Sequence, residues 1–389
     1  MNRRAFLAAS SAVAALSAGP VRAAGQPTMK TRWIVRDSEG FDALSFLSPL
    51  SGDPFYLQYY EKEVADFAPR MPAVAMTSLK ALKARSEQAK IMLSPFLDLR
   101  FSAGPDSTID DLLASAADPD ARMLPRFRAS PYWDDGEGKG DWEKFKEALP
   151  AIITVLRGLQ EGGFAQFRQS VIAPRLGRIA EVRAKLAGFD PITGAEFYTG
   201  RTFDTTIEII LLQFSNPHGI KVIGQRFLSG ITYSDEIHIR TAGHEILHPP
   251  LDKKSEAWAA ALNVLEQDSL IARVLKEHDP KFGYNDLDGL LDEDITEALD
   301  QLIAEKAGVA KDPRERWASH DGGMHIIAAA VYGLMQQDGY ARSGGNLEHW
   351  LLRQARAGAL APASLHAAAS RVIGRPVDRL WPPPEPSKA

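Results

Sequence analysis

His244, Glu245 and His248 are the residues of this chain whose types and spacing could carry out chemistry, and they form the pattern His-Glu-x-x-His. Residues four positions apart lie on one face of a helix, so both imidazoles could hold the same zinc ion. Glu245 could reach a water molecule activated by that ion, act as general base and later pass the proton to a leaving amine. The alternative interpretation is a helix that carries two solvated histidines.

The motif resembles the zinc metallopeptidases of the HExxH type, the zincins, and more narrowly a group of uncharacterised exported bacterial HExxH domains. The similarity covers the strand-rich segment before the motif, His244 to Pro249, and an acidic helix that follows about 45 residues later. The resemblance implies that His244 and His248 bind Zn²⁺, that Glu245 is the catalytic base, and that a peptide or protein is the substrate. It also implies that the strand before the helix, within residues 220–233, lines the cleft and pairs with an extended peptide, as sheet edges can.

A carboxylate is the expected third zinc ligand, because no third histidine follows at the short spacing of the metzincins. Glu293 is preferred, since the resembling domains carry an acidic helix of the form Glu-x-apolar-x-x-Ala that fits at this position. Glu297, four residues later on the same face, and Glu266 remain alternatives. Both leading candidates lie opposite the apolar stripe of their helix, so a ligand there requires a helix buried on two sides. A carboxylate that only favours the helix dipole is the other interpretation.

Pro249 and Pro250 follow His248 directly, whereas the corresponding helix of thermolysin-like enzymes continues. A proline inside a helix clashes with the carbonyl four residues back, which here belongs to Glu245. We therefore expect the metal-binding helix to end or kink at His248.

Further residues could assist the reaction. A histidine or tyrosine beyond the metal site often stabilises the oxyanion, and His325 or Tyr332 could do so here, although a packed or capping role is the alternative for the histidine. His238 lies in a strand-like run, where we expect it to be exposed or paired in the sheet. Residues 129–141 form an acidic, turn-rich loop whose length would suit a lid over the cleft.

Three functions fit these residues. The first is a zinc-dependent metallopeptidase that hydrolyses peptide bonds. The second is a catalytically inactive zincin-like envelope protein that binds a partner, and the third is a zinc hydrolase that acts on a non-peptide amide such as a cell-wall component. A binding scaffold needs the histidines at most, whereas a hydrolase also needs Glu245, so the presence of this glutamate favours an enzyme.

The elements that must position the motif predict a mainly helical α+β fold, with a small sheet next to the zinc-binding helix. β-branched and aromatic residues predict strands at 33–35, 205–214 and 221–233, with 236–240 extending or following the last of them. Helical spacing predicts helices at 56–67, 76–89, 145–159, 164–186 with a kink at Pro174, 255–277, 292–307, 325–336 and 347–357.

Composition and the chain start bound the class of protein. The 389 residues are 45% hydrophobic, carry a formal net charge of −5 and include no cysteine, which excludes disulfides, thiolate metal sites and a global basic field for nucleic acid. Residues 1–23 resemble a signal peptide of either the twin-arginine or the ordinary secretory type, so we expect an exported, periplasmic protein without stable membrane insertion after signal removal. We divide the rest into a mostly helical region (24–190), a zincin-like catalytic region (191–345) and a C-terminal helix with a proline-rich tail (346–389).

Overall fold

The computed structural model describes residues 29–133, 136–217, 219–282 and 284–383. The predicted signal peptide, residues 1–23, lies outside the described residues, as does the end of the proline-rich tail. In the described part of the chain, no helix is both long and apolar enough to cross a membrane.

One mixed sheet lies at the centre of the fold, with strand order β1-β2-β4-β3. β1 (Arg32–Asp37) and β4 (Arg226–Gly230) flank β2 (Thr206–Leu212), and both pair with it in parallel. The short strand β3 (Ile220–Val222) pairs with β4 in antiparallel fashion. β3 contacts no further strand among the described residues, so its outer side forms one edge of this sheet.

The strand predictions are confirmed for β1 and β2 and wrong in detail for residues 221–240. A turn at Gly224, whose φ is +86°, divides the third predicted strand into the hairpin β3–β4. Glycine tolerates this positive φ because it has no Cβ. Residues 236–240 do not extend the sheet but lie in a helix.

Helices surround the sheet on both faces, which confirms a mainly helical α+β fold. In the first half of the chain they are α1 (Glu39–Leu50), α2 (Pro54–Phe67), α3 (Ala73–Gln88), α4 (Leu93–Phe101), α5 (Ile109–Ala117), α6 (Pro119–Arg122), α7 (Leu124–Arg128), α8 (Glu137–Glu161), α9 (Phe164–Ile172), α10 (Gly177–Leu186) and α11 (Pro191–Thr199). Pro174 lies in a short 3-10 turn that separates α9 from α10, as predicted.

The second half adds the remaining helices: α12 (Asp235–Glu245), α13 (Glu256–Leu265), α14 (Ser269–Glu277), α15 (Leu287–Ala307), α16 (Pro313–Ser319), α17 (Ile326–Gln337), α18 (Tyr340–Ser343), α19 (Leu347–Arg356) and α20 (Pro362–Ile373). The helix predicted for 255–277 is two helices, because Asp268 caps the start of α14 with its side chain. α20 was not predicted.

Two hydrophobic cores pack on opposite faces of the sheet, because successive side chains of a strand point to opposite sides. Ile210 and Leu212 of β2 face the first core, which α1 to α9 mainly supply and which includes Phe46 and Trp142. Ile209 and Leu211 face the second core, which is built mainly by α10 to α20.

α15 crosses the second core and is buried on nearly every side. Its buried residues include the apolar Ile295 and Leu299 and also the charged Glu293, Glu297 and Asp300. The sequence pattern is typical of a solvated acidic face, but α11, α12, α13 and α17 pack around the helix instead, and Arg316 of α16 pairs with two of its carboxylates. The carboxylates of α15 therefore lie inside the protein, where they require partners.

Candidate metal centre

α12 supplies the first histidine and the glutamate of the motif. Ser234 caps its N-terminus by accepting a hydrogen bond from the backbone N–H of Ile237. The two prolines predict that the helix ends or kinks at His248. It ends three residues earlier, at Glu245. The carbonyl of Glu245 is not left unpaired, since Lys221 of β3 donates to it at 2.5 Å and to the carbonyl of His248 at 2.5 Å.

His248 lies beyond the end of the helix, yet its ring remains beside that of His244. The Nε2 atoms of the two imidazoles are 3.0 Å apart. Glu293 of α15 lies between them, with one carboxylate oxygen 3.4 Å from Nε2 of His244 and the other 3.4 Å from Nε2 of His248. Ligand-type atoms of three residues, from two helices and a turn, thus lie within 4.8 Å of one another.

These distances fit a tetrahedral zinc ion. Zinc binds imidazole nitrogen and carboxylate oxygen at about 2.0–2.1 Å, so neighbouring ligand atoms in a tetrahedral site are about 3.3 Å apart. The 3.0 Å between the two Nε2 atoms, and the 3.4 Å from each Nε2 to its own nearest oxygen of Glu293, lie around that value. Three protein ligands would leave a fourth position for water or substrate.

Outer partners orient both histidines. Nδ1 of His244 lies 2.7 Å from a carboxylate oxygen of Asp300, which leaves Nε2 facing the centre of the site. Arg316 in turn pairs with Asp300 through both oxygens. Nδ1 of His248 lies 3.4 Å from the Thr296 hydroxyl and 3.7 Å from Asp292. Such carboxylate–histidine pairs fix the ring orientation at metal sites.

The charges of the site compensate one another. Burial disfavours the charged form of each group, but the carboxylates of Glu293 and Asp300 raise the pKa of His244 well above its ordinary value. Against the same effect of burial, the two histidines lower the pKa of Glu293 well below its ordinary value. A divalent cation would replace the protons that hold this carboxylate and the two imidazoles together.

Glu245 differs from Glu293 in its surroundings. Burial raises its pKa, and the opposing charges of the histidines and Lys221 do not cancel that effect. Its side chain lines a cleft of about 230 Å³ that His244 also lines. A carboxylate with a raised pKa beside a metal site is suited to accept a proton near neutral pH.

The cleft brings together residues from four parts of the chain. They are Gly219 before β3; Ile237, Arg240, Thr241, His244 and Glu245 of α12; Tyr284, Glu293, Glu297 and Asp300 in and before α15; and Arg316, His320 and Asp321. The Tyr284 hydroxyl hydrogen-bonds with Glu293, and burial together with that carboxylate raises its pKa. Besides His244, a tyrosine and a second histidine, Tyr284 and His320, thus line this cleft.

The other residues singled out from the sequence lie elsewhere. His325 is fully buried between Asp294, at 2.6 Å, and Asp321, at 3.2 Å, and does not line the cleft. The Tyr332 hydroxyl donates to Glu305 at 2.7 Å, away from the cleft. Glu266 is an exposed residue at the end of α13. His238 is neither exposed nor in a strand, because it lies buried in α12 with Nδ1 2.9 Å from the Ser229 hydroxyl.

The segment at 129–141, whose length would suit a lid, approaches the site at Tyr132. Burial, and then the nearby charges of Glu245 and Asp292, raise the pKa of Tyr132. The acidic residues 134 and 135 of the same segment lie outside the described residues.

Glu297 belongs to a second group of potential ligands, with His320 and His325, whose ligand-type atoms all lie within 4.8 Å of one another. Its oxygens already have partners, because one accepts the Trp317 indole N–H at 2.6 Å and the other lies 3.0 Å from Arg316. A metal ion there would face a guanidinium. The group around Glu293 is therefore the better metal site.

Asp300, Arg316 and Tyr284 were not recognised in the sequence. Asp300 lies seven residues after Glu293 on the same buried helix, and its spacing could have suggested a second inward-facing carboxylate. Nothing in the local sequence marks Arg316 or Tyr284.

Comparisons with family models, with curated proteins and with solved structures found no match.

Proposed function

We propose that this protein is a zinc-dependent metallopeptidase in which His244, His248 and Glu293 hold the metal. The observation that carries the proposal is the approach of the two imidazoles, whose Nε2 atoms are 3.0 Å apart, to the Glu293 carboxylate, which places one oxygen 3.4 Å from each of them, with Asp300 behind His244. Zinc in such a site supplies Lewis-acid activation of water and of a carbonyl oxygen. The zincin-like arrangement and the periplasmic location are parts of the same proposal.

Glu245 acts as the general base in this proposal. It follows His244 directly and lines the same cleft, and its raised pKa suits proton transfer from water and then to the leaving amine. In this proposal Tyr284 and His320, which line the cleft, take the role of hydrogen-bond donors to an oxyanion instead of His325 or Tyr332.

Substrate binding would use the edge of the sheet. β3 is an edge strand, and its Lys221 reaches over the end of α12 to the carbonyls of Glu245 and His248. An extended peptide paired with this edge would lie beside the metal site. This mode suits a peptide substrate better than a compact non-peptide amide.

The first test is the metal content of the purified protein, measured by mass spectrometry beside His244→Ala. We expect about one zinc per chain in the wild type and none in the variant. Glu266→Gln is the matched control, because Glu266 is exposed and should leave zinc binding unchanged. Absence of zinc after reconstitution would contradict the proposal and favour a binding protein that only retains the shape.

The second test separates catalysis from binding. Glu245→Gln should retain zinc but lose peptide hydrolysis by at least about 100-fold, as expected for removal of a general base. A Glu245→Gln variant with full metal content that cleaves peptides like the wild type would show that Glu245 is not the base.

A further inference from the structure

Arg240 is a cation in the cleft that has no counter-ion bound to it. It lines the same cavity as His244 and Glu245 and is only partly exposed. Among the described residues, no hydrogen bond or ion pair joins its guanidinium to a partner. A partly buried guanidinium with five donors and no acceptor is costly unless a ligand supplies one.

The position of Arg240 relates it directly to the metal site. It precedes His244 by four residues on α12, so the two side chains leave the same face of the helix one turn apart. One turn of helix rises about 5.4 Å, and consecutive Cα atoms of a peptide are about 3.8 Å apart. The distance of one turn between Arg240 and His244 therefore corresponds to about one or two substrate residues. A group bound by Arg240 would therefore belong to a substrate residue close to the bond being cleaved.

The other charges around Arg240 leave it available. Asp300 and Glu297 are the nearby carboxylates that favour its charged form, but Arg316 pairs with both of them. Lys311 lies near Arg240 as well. The positive charge of Arg240 is the main cause that lowers the pKa of Lys311. The unpaired guanidinium of Arg240 in the cleft thus has a second, exposed cation nearby.

We propose that Arg240 recognises a carboxylate of the substrate next to the scissile bond, so that this site prefers peptides with a free C-terminus or an acidic side chain at that point. A planar guanidinium can bind a carboxylate through two parallel hydrogen bonds. The proposal rests on the proposed peptidase function for its catalytic consequence, although binding of the carboxylate does not depend on hydrolysis. Arg240 is a specificity residue here and not a base or a metal ligand.

The kinetic test uses two matched pairs of peptide substrates with the zinc-loaded wild type and Arg240→Gln. The two members of the first pair, which are peptide libraries, differ only in their C-terminus, which is free in one and amidated in the other. The two members of the second pair are both amidated and differ only at one internal position, which is Glu in one and Gln in the other. We expect kcat/KM of the wild type to favour the carboxylate member of one pair by about 10–100-fold, as for hydrogen bonds between charged groups. Arg240→Gln should abolish that preference and leave the neutral member unchanged.

The pair that shows the preference identifies the source of the carboxylate. A preference confined to the first pair indicates cleavage near the C-terminus, and one confined to the second pair indicates internal cleavage beside an acidic residue. No preference in either pair, or an equal loss of activity on both members in Arg240→Gln, would overturn the proposal.

A binding measurement separates this proposal from the peptidase function. Calorimetry with zinc-loaded Glu245→Gln and an N-acetylated tetrapeptide of each kind should show about 10–100-fold tighter Kd for the carboxylate form, and the added Arg240→Gln change should remove the difference. If the wild type cleaves nothing, the peptidase proposal fails, but this difference still decides the role of Arg240. Equal Kd values for the two forms would contradict it.

Two controls guard against a structural effect. Arg157→Gln removes an exposed arginine of α8, on the far side of the sheet, and should leave every preference unchanged. Zinc content and thermal stability of Arg240→Gln should match the wild type, because no described residue depends on Arg240 for a hydrogen bond. Arg240→Lys keeps the charge without the planar fork and should retain only part of the preference.

Discussion

Glu293 and Glu297 show how the surroundings decide the role of a residue. They lie one turn apart on the same buried helix, and both have a strongly lowered pKa. The charge that most lowers the pKa of Glu293 comes from His244, whereas that for Glu297 comes from Arg316. One carboxylate thus faces two potential metal ligands, and the other is held by a permanent cation.

The exchange of either glutamate for glutamine should separate these roles. Glu293→Gln removes a ligand, so zinc affinity should fall by more than the 10–100-fold that loss of an outer partner costs. Glu297→Gln should keep one zinc per chain but lower the free energy of unfolding by about 3 kcal/mol or more, because it breaks a buried ion pair with Arg316. Competition with a chelator and urea unfolding of the apo forms measure the two effects. Loss of zinc only in Glu297→Gln would reverse the assignment.

Asp300 tests the importance of the group behind the metal ligand. Asp300→Asn keeps the shape of the side chain but weakens the hydrogen bond to Nδ1 of His244 and one half of the pair with Arg316. We expect zinc affinity to fall by about 10–100-fold while the stoichiometry remains one. Asp288→Asn in the partly exposed first turn of the same helix, where Asp288 pairs with Lys253 and not with a histidine, is the control and should have no effect on zinc affinity.

The sequence predicted the residues of the site that are linked by local spacing. His244, Glu245 and His248 follow from one short motif, and Glu293 from a resemblance in an acidic helix. Asp300 contacts His244 across 56 positions, and Arg316 joins the site through tertiary packing alone. Local spacing carries no information on such contacts, because they depend on how α15 packs against α12 and on the ion pairs between α16 and α15.

At the scale of elements, α12 is fixed at its C-terminal end and along its buried face. Lys221 holds its C-terminal carbonyls, and His238 attaches its middle to β4 through Ser229. Burial, followed by the charge of Arg178, lowers the pKa of His238 to about 4, from an ordinary value of 6.5. The helix that carries the motif thus rests on a neutral, buried histidine.

This histidine predicts how stability depends on pH. Between pH 6.5 and about 4 the unfolded chain is protonated at His238 while the folded protein is not, so the free energy of unfolding falls as the pH falls through this range. The shift corresponds to a contribution of roughly 2–3 kcal/mol. Urea unfolding gives the free energy of unfolding of the wild type and of His238→Gln at pH 7 and at pH 4. The difference in this free energy between the two proteins should change by about this amount from one pH to the other. A difference that is the same at both pH values would contradict the prediction, and exposed His349→Gln serves as the control.

The elements that were predicted incorrectly share a physical cause. The hairpin β3–β4 reads as one strand because the apolar and β-branched residues continue through its turn, and only Gly224 marks the reversal. α15 reads as amphipathic because its charged face pairs with Arg316 and the histidines rather than with water. Periodicity records which residues are apolar, and it does not distinguish a solvated carboxylate from a buried one with partners.

At the scale of the whole molecule, one sheet joins the two cores. β2 contributes Ile210 and Leu212 to the first core and Ile209 and Leu211 to the second. The buried Asp42 of α1 adds a polar link, because it accepts hydrogen bonds from the backbone N–H groups at the end of β2 and pairs with Arg168. Neither face of the sheet can lose its core without exposing apolar residues of the same strands.

This shared sheet predicts that zinc stabilises both halves together. Zinc that binds only the folded state, at a thousandfold above its Kd, should add about 4 kcal/mol to the free energy of unfolding. Because the chain has no cysteine, Ala116→Cys in the first core and Ala261→Cys in the second each introduce one buried thiol, which reacts only after unfolding. Zinc should raise the urea midpoint of thiol labelling equally at both positions, although only the second core contains the metal site, and His244→Ala should abolish both shifts. Protection confined to Ala261→Cys would show instead that the two halves unfold independently and that the sheet does not transmit the stabilisation.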